Sequence, residues 1–281
     1  MTDTKLSVLG VHGIRYYQMG LESYDAAELV AGWWRNALAE GLGLPSDTDA
    51  FSLEVAYYAH RLHQRTAQGE EDPALLDTET QQMIVEWSRL LGAPDAVAQG
   101  RLTAPARAAI TWVADTFGLD HAPARILATT FFREVQTYFT DQGIRQAAQA
   151  DVADAITRSR PNVIIAHSLG SVVAYETLWA HPHPPVGLFL TLGSPLAMPG
   201  IVHDRLAPHD GPRTRPPGVQ RWINVADPGD IIAIPTGGIP RRFGHVTADL
   251  TDAIGAFGYH RVTKYLACGA VTGVISAQLP S

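Results

Sequence analysis

Two short apolar runs constrain the fold of this chain more than any other feature. They are KLSVLGV at residues 5–11 and NVIIA at residues 162–166, and neither alternates between apolar and polar positions. Such strands are typical of parallel sheets that other structure covers on both faces. The other candidate strands are 52–58, 186–192, 220–225 and 244–250. Helical or loop segments separate them, so the sequence predicts an α/β fold with a mostly parallel sheet flanked by helices.

The interval between the second strand and NVIIA predicts an insertion. It spans about 100 residues, far more than a helical crossover needs. Apolar residues recur there at helical spacing in two stripes, Met83, Ile84, Trp87, Leu90 and Leu91, and Leu127, Phe131, Val135, Tyr138 and Phe139. We therefore expect one domain over residues 1–281, with a mainly helical cap inserted at about residues 60–155 and a helix at 24–41 that packs on the sheet.

Composition narrows the possible partners and the compartment. With 21 basic and 28 acidic residues the net charge is −7, so the chain lacks the cationic excess that nucleic acid would attract. Cys268 is the one cysteine, which excludes an internal disulfide and a Cys-cluster metal site. No apolar stretch reaches the roughly 18 residues of a membrane span, and the first residues do not resemble a secretory signal. We expect a soluble, cytoplasmic protein with no membrane span and no nucleic-acid partner.

The strongest local signal is a serine between a strand and a helix. In NVIIAHSLGSVVAYETLWA the apolar strand leads through residues 166–170, AHSLG, into a helix. A nucleophile on such a tight turn stands clear of the sheet, and the small Ala166 and Gly170 permit close approach of strand and helix. Ser168 could instead cap the helix. The pentapeptide resembles the nucleophile elbow of the α/β-hydrolase superfamily, G-x-S-x-G, with Ala166 in place of the first glycine.

A second motif directly follows the first strand. It is His12-Gly13-Ile14, and it resembles the H-G loop of lipase-like hydrolases. In that family the backbone N–H after the glycine and the one after the nucleophile hold the tetrahedral oxyanion. The resemblance therefore implies Ile14 and Leu169 as the oxyanion hole, with His12 in a structural role.

Serine chemistry also needs a base and a carboxylate that orients it. The order Ser, acid, His that the resemblance implies places both after Ser168. Asp227 and Asp230 flank a Pro-Gly pair after the strand QRWINV. We prefer Asp230, because the apolar pair and the proline that follow it resemble the family pattern more closely. Asp227 stays open as the alternative.

Two histidines, His245 and His260, follow Asp230 in the sequence. His260 lies in GAFGYHRVTKYL, after the last predicted strand, where the family keeps its histidine on a loop, and His245 remains the alternative. The resemblance covers residues 5–58 and 162–281 but not the cap. A T-x-G-S-P stretch at residues 191–195 supports it, because lipase-like sequences often carry one there.

The sequence lacks the motifs that are typical of metalloproteases, nucleotide hydrolases and dinucleotide-dependent enzymes. The chain has no H-E-x-x-H, no P-loop and no G-x-G-x-x-G, so no metal or cofactor is expected. The resemblance implies an esterase or lipase-like serine hydrolase that cleaves an ester or thioester of a small-molecule or acyl substrate through an acyl-enzyme on Ser168. Two alternatives stay open: an acyltransferase or cyclase with the same catalytic triad, and a non-catalytic binding or regulatory module whose protein partner binds the cap.

Overall fold

The computed structural model describes residues 5–63, 72–99, 105–208, 211–255 and 260–280. Its sheet has six strands, which are β1 (Leu6–Val11), β2 (Phe51–Ala56), β3 (Val163–His167), β4 (Val186–Leu192), β5 (Val219–Ala226) and β6 (Ala248–Thr251). All neighbouring strands are parallel, in the order β2-β1-β3-β4-β5-β6. The predicted α/β architecture, a parallel sheet flanked by helices, is confirmed at this level.

Helices connect the strands. Those in the described residues are α1 (Ser23–Leu42), α2 (Ala59–Leu62), α3 (Thr78–Leu90), α4 (Asp95–Gln99), α5 (Pro105–Phe117), α6 (His121–Thr140), α7 (Gln142–Ser159), α8 (Leu169–Ala180), α9 (Gly238–Arg242), α10 (Val262–Ala267) and α11 (Gly269–Ser276). Short 3₁₀ helices occur at Pro73–Leu75 and His203–Arg205. Across the described ranges, none of the helices has the length and apolar character needed to cross a membrane.

The central strands β1 and β3 are buried on both faces, which explains why they lack polar alternation. In β3, Val163 and Ile165 belong to the apolar layer that α1, α10 and α11 cover, whereas Ile164 and Ala166 belong to the layer on the opposite face. Trp34 of α1 is completely buried in the first layer. Burying a large apolar side chain stabilises a fold by about 1.5–3 kcal/mol, so both layers favour this arrangement.

The segment between β2 and β3 is largely helical where the structure describes it. Helices α3, α5 and α6 pack mainly on one another, and α7 packs against α8, β1 and β2. Several side chains of the two predicted stripes are fully buried and join the layer that contains α8, namely Ile84, Trp87, Phe131, Val135 and Tyr138. Leu90 of the first stripe is exposed instead. The segment therefore extends one hydrophobic layer of the sheet domain.

The parallel order brings the ends of several strands to one edge of the sheet. Gly13 follows β1, Ser168 follows β3, Gly193 follows β4 and Asp230 lies in the loop after β5. In open parallel sheets, ligands bind outside the carboxyl ends of the strands. Residues that are far apart in sequence thus meet where a site is expected.

Candidate active site

Ser168 occupies a strained turn between β3 and α8. Its backbone has φ 54° and ψ −132°, a conformation that costs a residue with a side chain about 1–3 kcal/mol. The turn is held by a bond of 3.0 Å from Ser168 N–H to the Leu192 carbonyl and by the Ser171 hydroxyl, which donates to the Ser168 carbonyl at 2.6 Å. The Ser168 side chain makes no capping hydrogen bond to α8, so it does not act as a helix cap.

Two glycines allow the loop after β1 to approach this turn. A Cβ atom at Gly170 would collide with the carbonyl oxygens of Val11 and His12. At Gly13, a Cβ atom would lie 2.7 Å from the Cβ of Ser168. Because atoms cannot approach so closely, both positions require glycine, and the H-G loop lies directly against the serine.

His260 and Asp230 form a buried pair. Nδ1 of His260 lies 2.6 Å from Oδ2 of Asp230, and both side chains are buried. Nδ1–H therefore donates to the carboxylate, and Nε2 is left as an acceptor. A Cβ atom at Gly193 would lie 2.9 Å from Asp230 Oδ2 and 3.0 Å from His260 Cε1. The pair thus packs over the end of β4, whose last residue, Leu192, accepts the bond from Ser168 N–H.

Several donors surround the Asp230 carboxylate. Oδ1 accepts from the backbone N–H of Ile232 at 2.8 Å and of Ala233 at 3.3 Å, and Oδ2 also accepts from the Tyr265 hydroxyl at 2.7 Å. Burial alone would raise the pKa of Asp230, but the charge of His260 and the hydrogen bonds outweigh burial and lower the pKa. The group stays ionised at neutral pH and can stabilise a protonated imidazole.

Tyr265 is a site residue that the sequence did not reveal. Its hydroxyl donates to Asp230 and accepts from the Asp227 N–H at 2.9 Å, and burial, with the charge of Asp230, raises its pKa. Tyr265 lies on α10, five positions after His260. No motif marks such a contact, and its place in the apolar stretch after the histidine is the only signal that the sequence offers.

The alternative acid and base lie in other environments. Asp227 accepts from the N–H of Gly229 at 2.6 Å and of Ile254 at 2.7 Å, so its carboxylate holds the turn after β5 against the loop after β6. His245 is exposed and precedes β6. The imidazole that pairs with the carboxylate at the sheet edge is that of His260.

Two backbone donors are available beside the serine. The N–H groups of Ile14 and Leu169 donate no hydrogen bond to any other described residue. Ile14 is buried next to Gly13, and Leu169 is the first residue of α8, where the positive end of the helix dipole favours negative charge. These two groups can serve as donors to a developing oxyanion.

His12 braces the loop that carries these donors. Its Nδ1–H donates to the Gly13 carbonyl at 2.8 Å, its Nε2 accepts from the Tyr58 N–H at 3.2 Å, and its ring stacks on that of Tyr58 with 4.3 Å between the ring centroids. Burial lowers the pKa of His12 to about 4, although the bond to Gly13 opposes this effect. His12 is therefore neutral at pH 7, with both nitrogens occupied.

Backbone strain is concentrated at this site. Positive φ angles occur at Ser168 (54°), His260 (62°) and Arg15 (65°), and two further non-glycine residues of the described ranges share this property, Arg160 and His245. Strained conformations of this kind persist where the surrounding structure enforces them, and they cluster at functional sites.

The chain matches no protein-family model, no curated protein and no solved structure. Across the described residues, no three His, Cys, Asp or Glu side chains are grouped to hold a metal ion.

Two cavities border His260. The first, of about 340 Å³, is called the Arg15 cavity; Ile14, Arg15, His167 and Arg261 are among its lining residues. The second, of about 320 Å³, is called the Asp227 cavity, and both aspartates of the turn after β5 line it. The two cavities share the apolar side chains of Leu119 and Leu127 as well as the imidazole. The histidine is thus flanked by space for two parts of a ligand.

Proposed function

We propose that this chain is a serine hydrolase of the α/β-hydrolase type, an esterase or lipase-like enzyme that cleaves an ester or thioester through an acyl-enzyme on Ser168. The observation that carries the proposal is the 2.6 Å contact between His260 Nδ1 and Asp230 Oδ2 at the sheet edge where the strained serine turn lies. A carboxylate that fixes the tautomer of a histidine, beside a serine, is the arrangement that serine nucleophiles require.

The proposed cycle assigns one task to each group. His260 Nε2 takes the hydroxyl proton of Ser168 while Oγ attacks the carbonyl carbon, and the N–H groups of Ile14 and Leu169 bind the resulting oxyanion. The imidazolium, stabilised by Asp230, then gives its proton to the departing alcohol or thiol. Water, deprotonated by the same imidazole, attacks the acyl-enzyme, and the imidazolium returns that proton to Ser168 Oγ as the acid leaves.

The two atoms that would exchange the proton are both buried and unpaired. Within the described part of the chain, neither Ser168 Oγ nor His260 Nε2 has a hydrogen-bond partner. An unsatisfied buried polar atom costs about 1–3 kcal/mol. Catalytic hydrogen bonds are often long without substrate and tighten when it binds, so the absence of a Ser168–His260 hydrogen bond is compatible with the proposed proton transfer.

The topology of the sheet supports the α/β-hydrolase assignment less than the site does. The six-strand order differs from the standard arrangement of α/β-hydrolases. The assignment to that superfamily therefore rests on the serine turn, the H-G loop and the Asp230–His260 pair.

Covalent labelling tests the proposed function directly. A fluorophosphonate probe is expected to add one adduct to the folded chain, on Ser168, because only an activated serine reacts readily. Intact-mass measurement and peptide mapping read the result. Ser46→Ala removes an exposed hydroxyl on the loop after α1 and should leave labelling unchanged, whereas Ser168→Ala should abolish it. A folded chain that takes no adduct, or takes it elsewhere, contradicts the proposal.

The close approach of the H-G loop leads to a second prediction. Gly13→Ala would place a Cβ atom 2.7 Å from that of Ser168, so the loop must shift and displace the Ile14 N–H. We expect kcat on a para-nitrophenyl ester to fall by about 10² to 10³, the usual effect of losing one oxyanion donor.

The matched control for this variant is Gly32→Ala. Gly32 lies in α1, and a Cβ atom there meets nothing within 4 Å. Alanine is favoured over glycine inside a helix by about 1 kcal/mol, so the control should keep its activity and gain stability. Equal activity of both variants would show that the oxyanion is held elsewhere.

A further inference from the structure

The Arg15 cavity combines apolar walls with two positive charges. Leu119 and Leu127 are part of its wall, and the exposed Arg15 and Arg261 also line it. None of its described lining residues is acidic. The Asp227 cavity borders the same imidazole but is lined by two aspartates. In a chain with a net charge of −7, the Arg15 cavity is a local concentration of positive charge.

Neither guanidinium is neutralised by an ion pair. In the ranges that the structure describes, Arg15 and Arg261 form no salt bridge. The nearest acidic influence on Arg15 is Glu134, whose Oε1 accepts from the Arg15 backbone N–H at 3.3 Å. Burial raises the pKa of Glu134 to about 7, although the bond from Arg15 opposes the rise. Glu134 therefore carries only part of a negative charge near neutral pH.

The backbone of Arg15 is also constrained beside the proposed oxyanion donor. It directly follows Ile14, the proposed oxyanion donor, and its backbone is held in the left-handed conformation with φ 65°. Arg261 directly follows His260, the proposed base. The two charges are therefore attached to the two loops that carry the proposed oxyanion donor and the proposed base.

A buried histidine adds a polar feature to this cavity. His167 lines it, its ring centroid lies 4.6 Å from that of His260, and neither of its ring nitrogens has a partner within the described part of the chain. Burial, and then the charge of His260, lowers the pKa of His167 well below its usual range. A neutral imidazole can still donate or accept a hydrogen bond, and a polar atom of a bound ligand would find a partner there.

We propose that the substrate carries an anionic group, a carboxylate or a phosphate, which Arg15 and Arg261 bind, on an apolar body that fills the Arg15 cavity. The planar guanidinium matches both anions through paired hydrogen bonds. This inference rests on the proposed function, because it names the substrate class of the same site. The cavity, of about 340 Å³, is of the size that encloses a small organic molecule.

Binding of amide ligands that the chain does not hydrolyse can test whether the site prefers an anionic substrate. The full-length Ser168→Ala chain is titrated calorimetrically with two pairs of ligands. In the first pair, para-(butyrylamino)benzoate and its methyl ester, the charge is on the leaving-group side. In the second pair, glutaric acid monoanilide and pentananilide, it is on the acyl side. The anionic member of one pair is expected to bind at least about tenfold more tightly than its neutral partner. A phosphate analogue of that member then distinguishes the two anions.

Substituting the two arginines tests whether they cause the preference for the anionic ligand. Added to the Ser168→Ala chain, Arg15→Gln and Arg261→Gln should each reduce the anionic preference to about threefold or less. The matched control is Arg241→Gln, which removes one exposed positive charge on α9 that lines neither cavity, and it should keep the preference.

Three outcomes would overturn this inference: equal binding of both members of each pair, no binding of either anion at millimolar concentration, or an equal loss in the Arg241→Gln chain. Failure of the proposed function gives a different pattern. In that case the wild-type chain takes no fluorophosphonate adduct, even though the anionic amide still binds.

Discussion

Replacing Ser168 by alanine is expected to lower kcat by about 10⁴ to 10⁶ on any ester that the wild-type chain cleaves. The loss is large because the variant has no oxygen to form the acyl-enzyme. Residual turnover would come from substrate binding and from the backbone N–H groups that stabilise the oxyanion. Steady-state kinetics with a para-nitrophenyl ester measures the effect. A variant that retains a tenth of the activity would show that another group is the nucleophile.

The fold should survive this substitution. The hydroxyl of Ser168 has no hydrogen-bond partner among the described residues, so its removal breaks no described hydrogen bond. Ser168→Gly is the companion variant, because glycine tolerates a φ of 54° without steric strain. We expect it to be equally inactive and at least as stable as Ser168→Ala in thermal unfolding. Loss of activity through unfolding would instead appear as a lower Tm in both variants.

Substituting Asp230 by asparagine is expected to lower kcat by about 10⁴. The two oxygens of Asp230 accept from His260, Tyr265, Ile232 and Ala233. An amide cannot accept all of these bonds, and its NH₂ favours the imidazole tautomer with the proton on the wrong nitrogen. The histidine then cannot take the serine proton, and its protonated form loses the charge that stabilises it.

Asp227→Asn is the matched control for this change. It removes the same charge three positions away, from a carboxylate that holds backbone N–H groups of the turn and of the loop after β6. We expect a lower Tm and a change in kcat of less than about tenfold, because this carboxylate does not orient the base. If the two variants lose activity equally, Asp230 is not the specific partner of His260.

Hydrolysis and acyl transfer would use the same residues until the acyl-enzyme has formed. What distinguishes them is whether water or another acceptor reaches the acyl group, and product analysis with candidate amines and alcohols decides between them. No described contact favours an acyltransferase or cyclase over hydrolysis, and none favours a non-catalytic module.

The buried strands were predictable because a strand covered on both faces must be apolar throughout. The strand at Val186–Leu192 was predicted with the bounds that it has in the structure. The last strand was harder, because the predicted 244–250 corresponds to Ala248–Thr251. Gly244 is bridged to Thr214 outside the sheet, and no local pattern distinguishes that bridge from the start of a half-buried edge strand.

The site, like the sheet, was predictable from the sequence only in part. The serine turn and the H-G loop are contiguous motifs. The order of acid and histidine left two candidates for each role, and their flanking residues favoured the pair that the structure brings to 2.6 Å. The support from Tyr265 and the close packing of Gly193 against that pair were not predictable. These contacts join α10 and the end of β4 to the loop after β5, and tertiary contacts of this kind leave no spacing in the sequence.

Ser168 exposes none of its surface to solvent. In the proposed mechanism, a substrate can therefore reach the hydroxyl only while neighbouring groups have separated, and the dry surroundings strengthen every charge interaction once these groups close again. Inactivation by a covalent reagent should accordingly reach a plateau as its concentration rises. The height of that plateau would give the frequency with which the enclosure opens.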